Sequence, residues 1–242
     1  MFIYGKNPVS EYLSRRKTDV KNVFSCDDKT KLYFETTFKI KVIKTDQKFF
    51  YSKLKANNLN HQNILAEIEL SNIYHIDELI KSVLSSNSKN KTLLVLDHIN
   101  DPQNFGAIIR SAVFFNVSGI IIAKDRQTPI NSTVIKASSG MAALAKFSIV
   151  PNIANTVQKL KQNNFIAYSA VKDCGCEPSE ISSSSPIALI LGCEGEGIQK
   201  NVLKLSDYYV SIQGSKSVES LNVSVSAAIL FYQISLNQKG NS

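Results

Sequence analysis

The sequence predicts an α/β protein in two parts, a small mixed unit followed by a larger one with a parallel sheet. From residue 92 onwards, short apolar runs alternate with segments of helical periodicity, which is typical of the strands and helices of a parallel sheet. A polar stretch at 85–91 separates this region from the residues before it. The 242 residues are 43% apolar, which is enough to build a core in each part.

The first part mixes helical and extended patterns. Its predicted elements are helices at 7–16 and 47–57 and strands at 20–26, 38–44 and 63–70. A short helix is expected after residue 76, ahead of the polar stretch. We therefore predict one domain over 1–75, a linker over 76–91 and a second domain over 92–242.

The second part repeats strand and helix in regular order. The predicted strands are 92–96, 119–123, 145–150, 165–169, 187–191 and 208–212, and the predicted helices are 104–116, 153–162 and 222–236, with a short helix between the last two strands. Ligands bind at the carboxyl ends of parallel strands, so the residues that follow each strand are the candidates for a functional site.

The charge of the chain favours a polyanionic partner. Lys and Arg number 28 against 20 acidic residues, a formal net charge of +8, and such an excess promotes contacts with phosphates. Many basic proteins bind no nucleic acid, so the motifs have to decide.

Neither a membrane span nor a secretory signal is expected. The longest apolar runs, such as 187–191, are far shorter than the ~20 residues that cross a bilayer. The N-terminus has no basic segment, apolar stretch and cleavage site in succession. The four cysteines have no Cys-x-x-Cys spacing, so we expect free thiols, no metal site and a cytoplasmic location.

The first candidate cluster follows strand 92–96. Asn104 lies at the start of a helix and Arg110 comes six residues later, where its planar guanidinium could bind a phosphate or carboxylate. The alternative is a helix cap and a surface arginine. Asp97 and Asp101 are interpreted as loop and turn residues.

The second cluster is the sequence GCEGEG at 192–197, after strand 187–191. Its glycine order is neither that of a dinucleotide-binding turn nor that of a P-loop. The glycines indicate a loop that adopts positive φ or approaches a ligand closely, or else a tight turn without a ligand.

The third cluster, Ser220, Leu221 and Asn222, immediately precedes the last helix, where either polar residue could be its N-cap. A Ser-His-Asp arrangement is not indicated, because His98 is the histidine nearest to any cluster and would have to serve alone.

Together these clusters resemble the signature of the SpoU family of knotted RNA ribose methyltransferases. The matching segments are DPQNFGAIIRSA at 101–112, KASSG at 136–140, LGCEGEG at 191–197 and SLNVSVS at 220–226. Segments 3–9 and 61–66 are similar to the opening and the closing strand of a ribosomal-protein-like domain that binds the RNA substrate. The combination of this N-terminal domain with the family motifs resembles the bacterial members of the family that methylate a guanosine ribose of 23S ribosomal RNA.

The resemblance implies a C-terminal SPOUT-type α/β knot, in which a parallel sheet with helices on both faces contains a deep trefoil knot. It also implies a homodimer, and S-adenosylmethionine as the methyl donor. The backbone at Gly192, Ile212 and Leu221 is expected to meet the adenine and ribose of that cofactor, flanked by Ser220 and Asn222.

The same resemblance assigns the reaction to Arg110, with Asn104, Glu194, Ser220 and Asn222 around it. An arginine holds its proton too firmly to be the base, so we expect Arg110 to orient the ribose hydroxyl while a substrate phosphate assists proton removal. Lysines of the first domain, such as Lys6, Lys17, Lys21 and Lys53, are candidates for RNA contacts or for a solvated basic face.

Three other functions stay open at this point. Relatives that methylate transfer RNA share the three motifs. A noncatalytic RNA-binding module could keep the fold, although the intact motif residues argue against it. A small-molecule nucleotide enzyme is disfavoured by the absence of the two nucleotide-binding patterns.

Overall fold

The computed structural model of this chain describes residues 1–54, 59–182, 184–215 and 220–240. Its strands and helices are, in chain order, β1 (Phe2–Tyr4), α1 (Lys6–Arg15), β2 (Val20–Ser25), α2 (Asp28–Phe38), β3 (Ile43–Lys44), α3 (Gln47–Leu54), β4 (Ile64–Ile68), α4 (Ile76–Leu84), β5 (Thr92–Asp97), α5 (Pro102–Phe114), β6 (Gly119–Ala123), α6 (Ser132–Ala137), β7 (Phe147–Val150), α7 (Ile153–Gln162), β8 (Ile166–Ala170), β9 (Ile187–Gly192), α8 (Lys200–Leu203), β10 (Tyr208–Val210) and α9 (Val223–Gly240). They form two compact units, one of Met1–Asn72 with Ile130–Leu144 and one of Ile73–Pro129 with Ala145–Ser242.

The first unit contains a mixed four-stranded sheet in the order β1-β4-β2-β3. Strand β4 is antiparallel to both β1 and β2, and β2 is parallel to β3. Four buried residues, Tyr4, Phe24, Phe50 and Leu65, form a core cluster of this unit. The expected α/β character of the N-terminal region is therefore present.

The predicted strand at 38–44 is wrong over most of its length. Phe38 ends helix α2, because Lys39 adopts a left-handed conformation with φ 49°, and only Ile43–Lys44 is extended. Phe34 is buried and stacks on Phe38 at 5.4 Å, which is the four-residue spacing of a helix face. Residues 55–57 of the predicted helix 47–57 lie outside the described residues.

The second unit contains a six-stranded sheet in the order β10-β8-β9-β5-β6-β7. Every neighbouring pair in it is parallel, which confirms the predicted parallel sheet. Every residue of β5 is buried, as is usual for a central strand whose two faces are both covered.

Helices cover both faces of this sheet. On one face, α4, α7 and α8 bury their apolar residues against β5, β6, β8 and β9. Leu94 and Leu96 alternate with the residues of that core and face the other side, where α9 contacts β9 and α5 packs against α9. The carboxyl ends of all six strands lie at one edge.

The two units differ from the predicted division at two places. Helix α4, predicted within a linker, places Leu79, Ile80 and Val83 in the core of the second unit because its apolar residues share one face. Segment 130–144 groups with the first unit, where Asn72 donates a hydrogen bond to the Ala142 carbonyl at 2.7 Å. Over the described ranges, no helix is long and apolar enough to cross a membrane.

Candidate active site

Helix α5 begins at a proline and is capped by the aspartate before it. Asp101 accepts hydrogen bonds from the backbone N–H groups of Gln103 at 3.0 Å and Asn104 at 3.3 Å. Asp101, rather than Asn104, is therefore the N-cap, and Asn104 lies in the first turn with its amide directed elsewhere. This leaves the Asn104 side chain available to contact other loops.

The loop after β9 folds back on itself. Gly197 N–H donates to the Cys193 carbonyl at 3.0 Å, and Gly195 and Gly197 have φ of 90° and 70°. Both therefore occupy the left-handed region, as the glycine pattern predicts. Gly192 is needed for a different reason, because a Cβ there would lie 2.2 Å from the backbone carbon of Gly197.

We expect Gly192→Ala to destabilise this unit by about 1–3 kcal/mol, the usual cost of forcing a methyl group into a packed site. The added methyl group would meet backbone atoms of the loop, which cannot move aside as the end of a flexible side chain can. Thermal unfolding measures the loss, with Gly214→Ala as the control, since a Cβ at Gly214 meets nothing within 4 Å. Equal melting temperatures for the two variants would contradict this account.

The structure brings together three side chains from the three clusters. Glu194 Oε1 accepts from Asn222 Nδ2 at 2.6 Å, from Asn104 Nδ2 at 3.2 Å and from the Val223 backbone N–H at 3.3 Å. Asn222 Nδ2 also donates to Asn104 Oδ1 at 2.9 Å. We call Asn104, Glu194 and Asn222 the motif cluster. It ties the start of α5, the loop after β9 and the start of α9 to one another.

The last helix begins directly at this cluster. Asn222 Oδ1 accepts from the backbone N–H of Ser224 at 2.8 Å and from its hydroxyl at 2.6 Å, which is capping geometry. Of the two N-caps considered from sequence, Asn222 therefore makes the capping hydrogen bond. Ser220 and Leu221 are exposed just before it.

Arg110 occupies a different face of α5 from Asn104. Six residues at 100° each place the two about 120° apart around the helix axis and about 9 Å apart along it. Arg110 is exposed and lies four residues before Phe114, so these two share a face. Within α5, Arg110 therefore lies on a different side of the helix from Asn104.

A second polar group at the same edge was missed by sequence analysis. Asp97, the last residue of β5, is 0% exposed, and its two carboxylate oxygens accept from His98 Nδ1 at 2.5 Å and from the Gln199 backbone N–H at 2.8 Å. Asp97 pairs with Gly192 in the sheet. The sequence feature that could have identified Asp97 is a carboxylate at the end of an otherwise apolar strand. Such a group is buried only when it has hydrogen-bonding or charged partners.

Two members of the motif cluster, Asn104 and Glu194, line a pocket of about 490 Å³ at the carboxyl edge of the sheet. Its charged and polar lining includes His98, Asn104, Arg126, Glu194, Glu196 and Lys200. Cations and anions of the protein therefore face the same space, as is usual in a site that binds a polar ligand. Among the described residues, no group of acidic, histidine or cysteine side chains is arranged to hold a metal ion.

The loop after β10 is held by the segment that follows β8. Cys176 N–H donates to the Tyr209 carbonyl at 2.8 Å, and Ser211 N–H donates to the Cys176 carbonyl at 3.0 Å. Ile212, half-buried, follows at the same edge of the sheet as Gly192, because β10, β8 and β9 are parallel. The predicted strand 208–212 is shorter in the structure and ends at Val210.

Comparison with known proteins shows which family this chain resembles in sequence. The model of the SpoU rRNA Methylase family matches residues 91–232. A Borreliella burgdorferi protein named as an uncharacterized tRNA/rRNA methyltransferase is 36% identical over 204 residues, which is 82% of this chain and 88% of that protein. The 23S rRNA (guanosine-2'-O-)-methyltransferase RlmB of Ralstonia nicotianae is 35% identical over 174 residues, 72% of this chain and 68% of that enzyme.

Solved structures share the fold. The SpoU methyltransferase AviRb of Streptomyces viridochromogenes aligns with a TM-score of 0.80 at 18% identity, covering 100% of this chain and 90% of that chain. The same protein in complex with the cofactor AdoMet aligns with a TM-score of 0.79 at 18% identity, covering 99% of this chain and 91% of that chain. The chain therefore belongs to the SpoU rRNA methylase family, whose methyltransferases take their methyl group from S-adenosylmethionine.

Proposed function

We propose that this protein transfers a methyl group from S-adenosylmethionine to the ribose 2'-hydroxyl of a guanosine in 23S ribosomal RNA. The observation that carries the proposal is the motif cluster, in which residues from three separate sequence motifs hydrogen-bond to one another at the carboxyl edge of the sheet. Ligand chemistry in parallel α/β sheets is concentrated at that edge.

The choice of RNA rests on the relatives. RlmB of Ralstonia nicotianae is named for 23S rRNA and guanosine, whereas the Borreliella burgdorferi relative is named for tRNA or rRNA. Ribose methylation of transfer RNA is therefore the second candidate. The net charge of +8 agrees with either RNA.

The residues at the proposed cofactor positions suit S-adenosylmethionine. Leu221 is 45% exposed and Ile212 is half-buried, so both offer apolar surface to an adenine ring. Gly214 has open space where a Cβ would lie, which leaves its backbone accessible. When bound, the cofactor supplies an activated methyl group. The residues that would hold it are Gly192, Ile212 and Leu221, flanked by Ser220 and Asn222.

The catalytic residues of the proposal are Arg110, Asn104, Glu194, Ser220 and Asn222. Arg110 would orient the ribose hydroxyl and the adjacent phosphate with its planar guanidinium. The motif cluster would fix the loops around the reacting groups, and the exposed Ser220 would support Asn222 at the cofactor. Positioning of this kind is the main contribution a protein makes to a transfer between two bound substrates.

The first unit is proposed to bind the RNA. Some of its lysines already have partners within the unit: Lys21 pairs with Glu69 at 2.9 Å, and Lys17 donates to the Phe38 carbonyl at 3.1 Å. Lys53 lies 5.5 Å from the centre of the Phe2 ring. Exposed lysines such as Lys6 therefore become the stronger candidates for phosphate contacts.

The C-terminal region is proposed to be knotted, as in its family. Two contacts of segment 174–181 support this. It hydrogen-bonds to the end of β10 through Cys176, and Asn237 of α9 donates to the Ile181 carbonyl at 2.9 Å. One contact of this segment is with the end of β10, before the loop that follows β10. The other is with α9, after that loop.

A homodimer is proposed from the apolar surface of α5 and α9. Helix α9 buries one face and exposes Val225, Ile229, Tyr232 and Leu236 on the other, at spacings of four, three and four residues. Phe114 of α5 is 77% exposed and contacts Phe115 at 5.0 Å, which in turn contacts Tyr232 at 6.1 Å. A continuous exposed apolar surface of this kind indicates a protein–protein interface, and we propose that a second copy of this chain binds there.

Replacing Phe114 by glutamate is expected to convert the dimer to monomers, because the charge would be buried without a partner at the interface. Light scattering after size-exclusion chromatography measures the mass. Leu32→Glu, at a 62% exposed residue of the first unit, is the control and should stay dimeric. A monomeric parent protein would overturn the dimer proposal.

The proposed function is tested by transfer of labelled methyl from S-adenosylmethionine to unmodified 23S ribosomal RNA, bulk transfer RNA and DNA, followed by mapping of the labelled nucleoside. We expect 2'-O-methylguanosine in 23S RNA alone. Label confined to transfer RNA would mean that the reaction is as proposed but that its substrate is transfer RNA. Cofactor binding without transfer to any of them would favour a noncatalytic RNA-binding role.

A further inference from the structure

The positive charge of the chain is concentrated in the first unit. This unit contains 14 of the 28 basic residues but 8 of the 20 acidic ones, so it carries +6 of the total net charge of +8. Within it, segment 28–48, which spans α2, β3 and the start of α3, has six lysines against three acidic residues. A local excess of this kind is typical of a surface that binds nucleic acid.

The three acidic residues of this segment are already engaged. Asp28 pairs with Lys44 at 2.5 Å and Glu35 with Lys31 at 4.0 Å, while Asp46 accepts a hydrogen bond from a backbone N–H of α3 at 2.8 Å. Within the described part of the chain, the exposed lysines of the segment whose side chains have no ion pair or hydrogen bond are Lys29, Lys39, Lys41 and Lys48. Their charge is therefore available to a partner.

Helix α2 and strand β3 lie side by side. Asp28 and Glu35, seven residues apart on one side of α2, both reach β3: Asp28 pairs with Lys44, and Glu35 accepts from the backbone N–H of the residue before the strand at 3.1 Å. Leu32 lies between these two acids on the same side of the helix. Ile43 lies between their two partners on the strand. Leu32 and Ile43 are therefore neighbours on the surface.

An exposed aromatic ring lies beside this apolar pair. Leu32 is 62% exposed and Ile43 is 39% exposed, and Tyr33, the next residue of α2, is 51% exposed. The buried Phe34 supports the Tyr33 ring in an edge contact at 5.3 Å. Lys29, one turn before Tyr33, shares its face of the helix. We call Lys29, Leu32, Tyr33, Lys41 and Ile43 the α2–β3 surface.

We infer that the α2–β3 surface binds an unpaired segment of the RNA substrate; this inference rests on the proposed function. A base stacks on the exposed ring of Tyr33, and Lys29 and Lys41 contact the phosphates on either side of it. Paired bases hide their faces in the duplex, so an exposed ring fits unpaired bases. Stacking and phosphate contacts do not read the sequence, and the surface therefore adds affinity for RNA without selecting the methylated nucleotide.

The first test measures the affinity for the RNA that the parent protein methylates, by fluorescence anisotropy without cofactor. Tyr33→Leu keeps apolar bulk but removes the ring, and we expect about 5–100-fold weaker binding, the range found when a stacking ring is lost. Tyr33→Phe keeps the ring and should bind as the parent protein does. Tyr208→Leu, at a 54% exposed tyrosine of the second unit, is the matched control and should also leave the affinity unchanged.

The second test separates the phosphate contacts from stacking. Lys29→Gln and Lys41→Gln should each reduce the slope of log affinity against log salt concentration by about 0.7, the value for one contact with a single strand. Tyr33→Leu should leave that slope unchanged. Lys21→Gln is the control, because Lys21 is also an exposed lysine of the first unit but pairs with Glu69 at 2.9 Å.

Equal affinities of Tyr33→Leu and the parent protein for this RNA would overturn the inference, and the exposed Leu32 and Ile43 would then indicate a contact with another protein. Melting temperatures equal to that of the parent protein are expected for every variant, since each replaced side chain is exposed. Because binding is measured without methyl transfer, the two proposals fail separately. A parent protein that methylates no RNA would refute the proposed function, whatever the affinities of the variants.

Discussion

Arg110→Ala is expected to bind S-adenosylmethionine as tightly as the parent protein and to lose about 10²–10³-fold in methyl transfer, the usual effect of removing one preorganised charged donor. Arg110 is exposed on α5 and is not among the residues proposed to hold the cofactor. The loss should therefore appear in the rate and in RNA binding, because the guanidinium is proposed to hold the ribose hydroxyl and its phosphate.

Single-turnover rates and calorimetric titration of the cofactor measure the two effects separately. Arg110→Lys keeps the charge but not the two parallel N–H donors, so its rate should lie between those of the parent protein and Arg110→Ala. Arg126→Ala, which alters a cation of the pocket wall on a different loop, provides a comparison for loss of charge alone. Turnover of Arg110→Ala close to that of the parent protein would remove Arg110 from the proposal.

Glu194→Ala is expected to have a similarly large effect for a different reason. It removes the oxygen on which the side chains of Asn104 and Asn222 and the backbone N–H of Val223 converge. Without it, the loop after β9 and the starts of α5 and α9 lose their common contact. A displacement of reacting groups by 1 Å can cost about 10²-fold in rate, so we expect a loss of at least that order.

The effect of Glu194→Ala on stability should be smaller than its effect on rate. Glu194 is exposed, so water can satisfy the three donors in the variant; we expect a net loss of about 1 kcal/mol in total, which corresponds to a fall of roughly 2–4 °C in melting temperature. Glu196→Ala, two residues later in the same loop and also exposed, is the matched control. If both variants lost activity equally, a general disturbance of the loop would explain the result better than the motif cluster does.

Much of the fold could be predicted from local pattern. The strands 119–123 and 187–191 and the helix 153–162 agree with the structure to within one residue, because parallel central strands are continuous apolar runs and α7 has a clear helical period. The failures have local causes as well. Helix α2 was missed because three of its apolar residues are consecutive at 32–34 and do not form one helical face, and Lys39 ends it in a left-handed conformation that no sequence pattern signals.

The sequence by itself determined the family and the identity of the candidate residues, since the motifs are contiguous and their glycines, asparagines and acids are specific. Only the tertiary structure decided which of them meet. Asn104, Glu194 and Asn222 are separated by 90 and 28 residues, and they touch because parallel strands return each loop to the same edge of the sheet. The same topology buries Asp97 beside Gly192 and brings Gln199 to its carboxylate. Burial and partners at long range depend on the packing of the whole sheet, so His98 changes from a loop histidine to an oriented imidazole only in three dimensions.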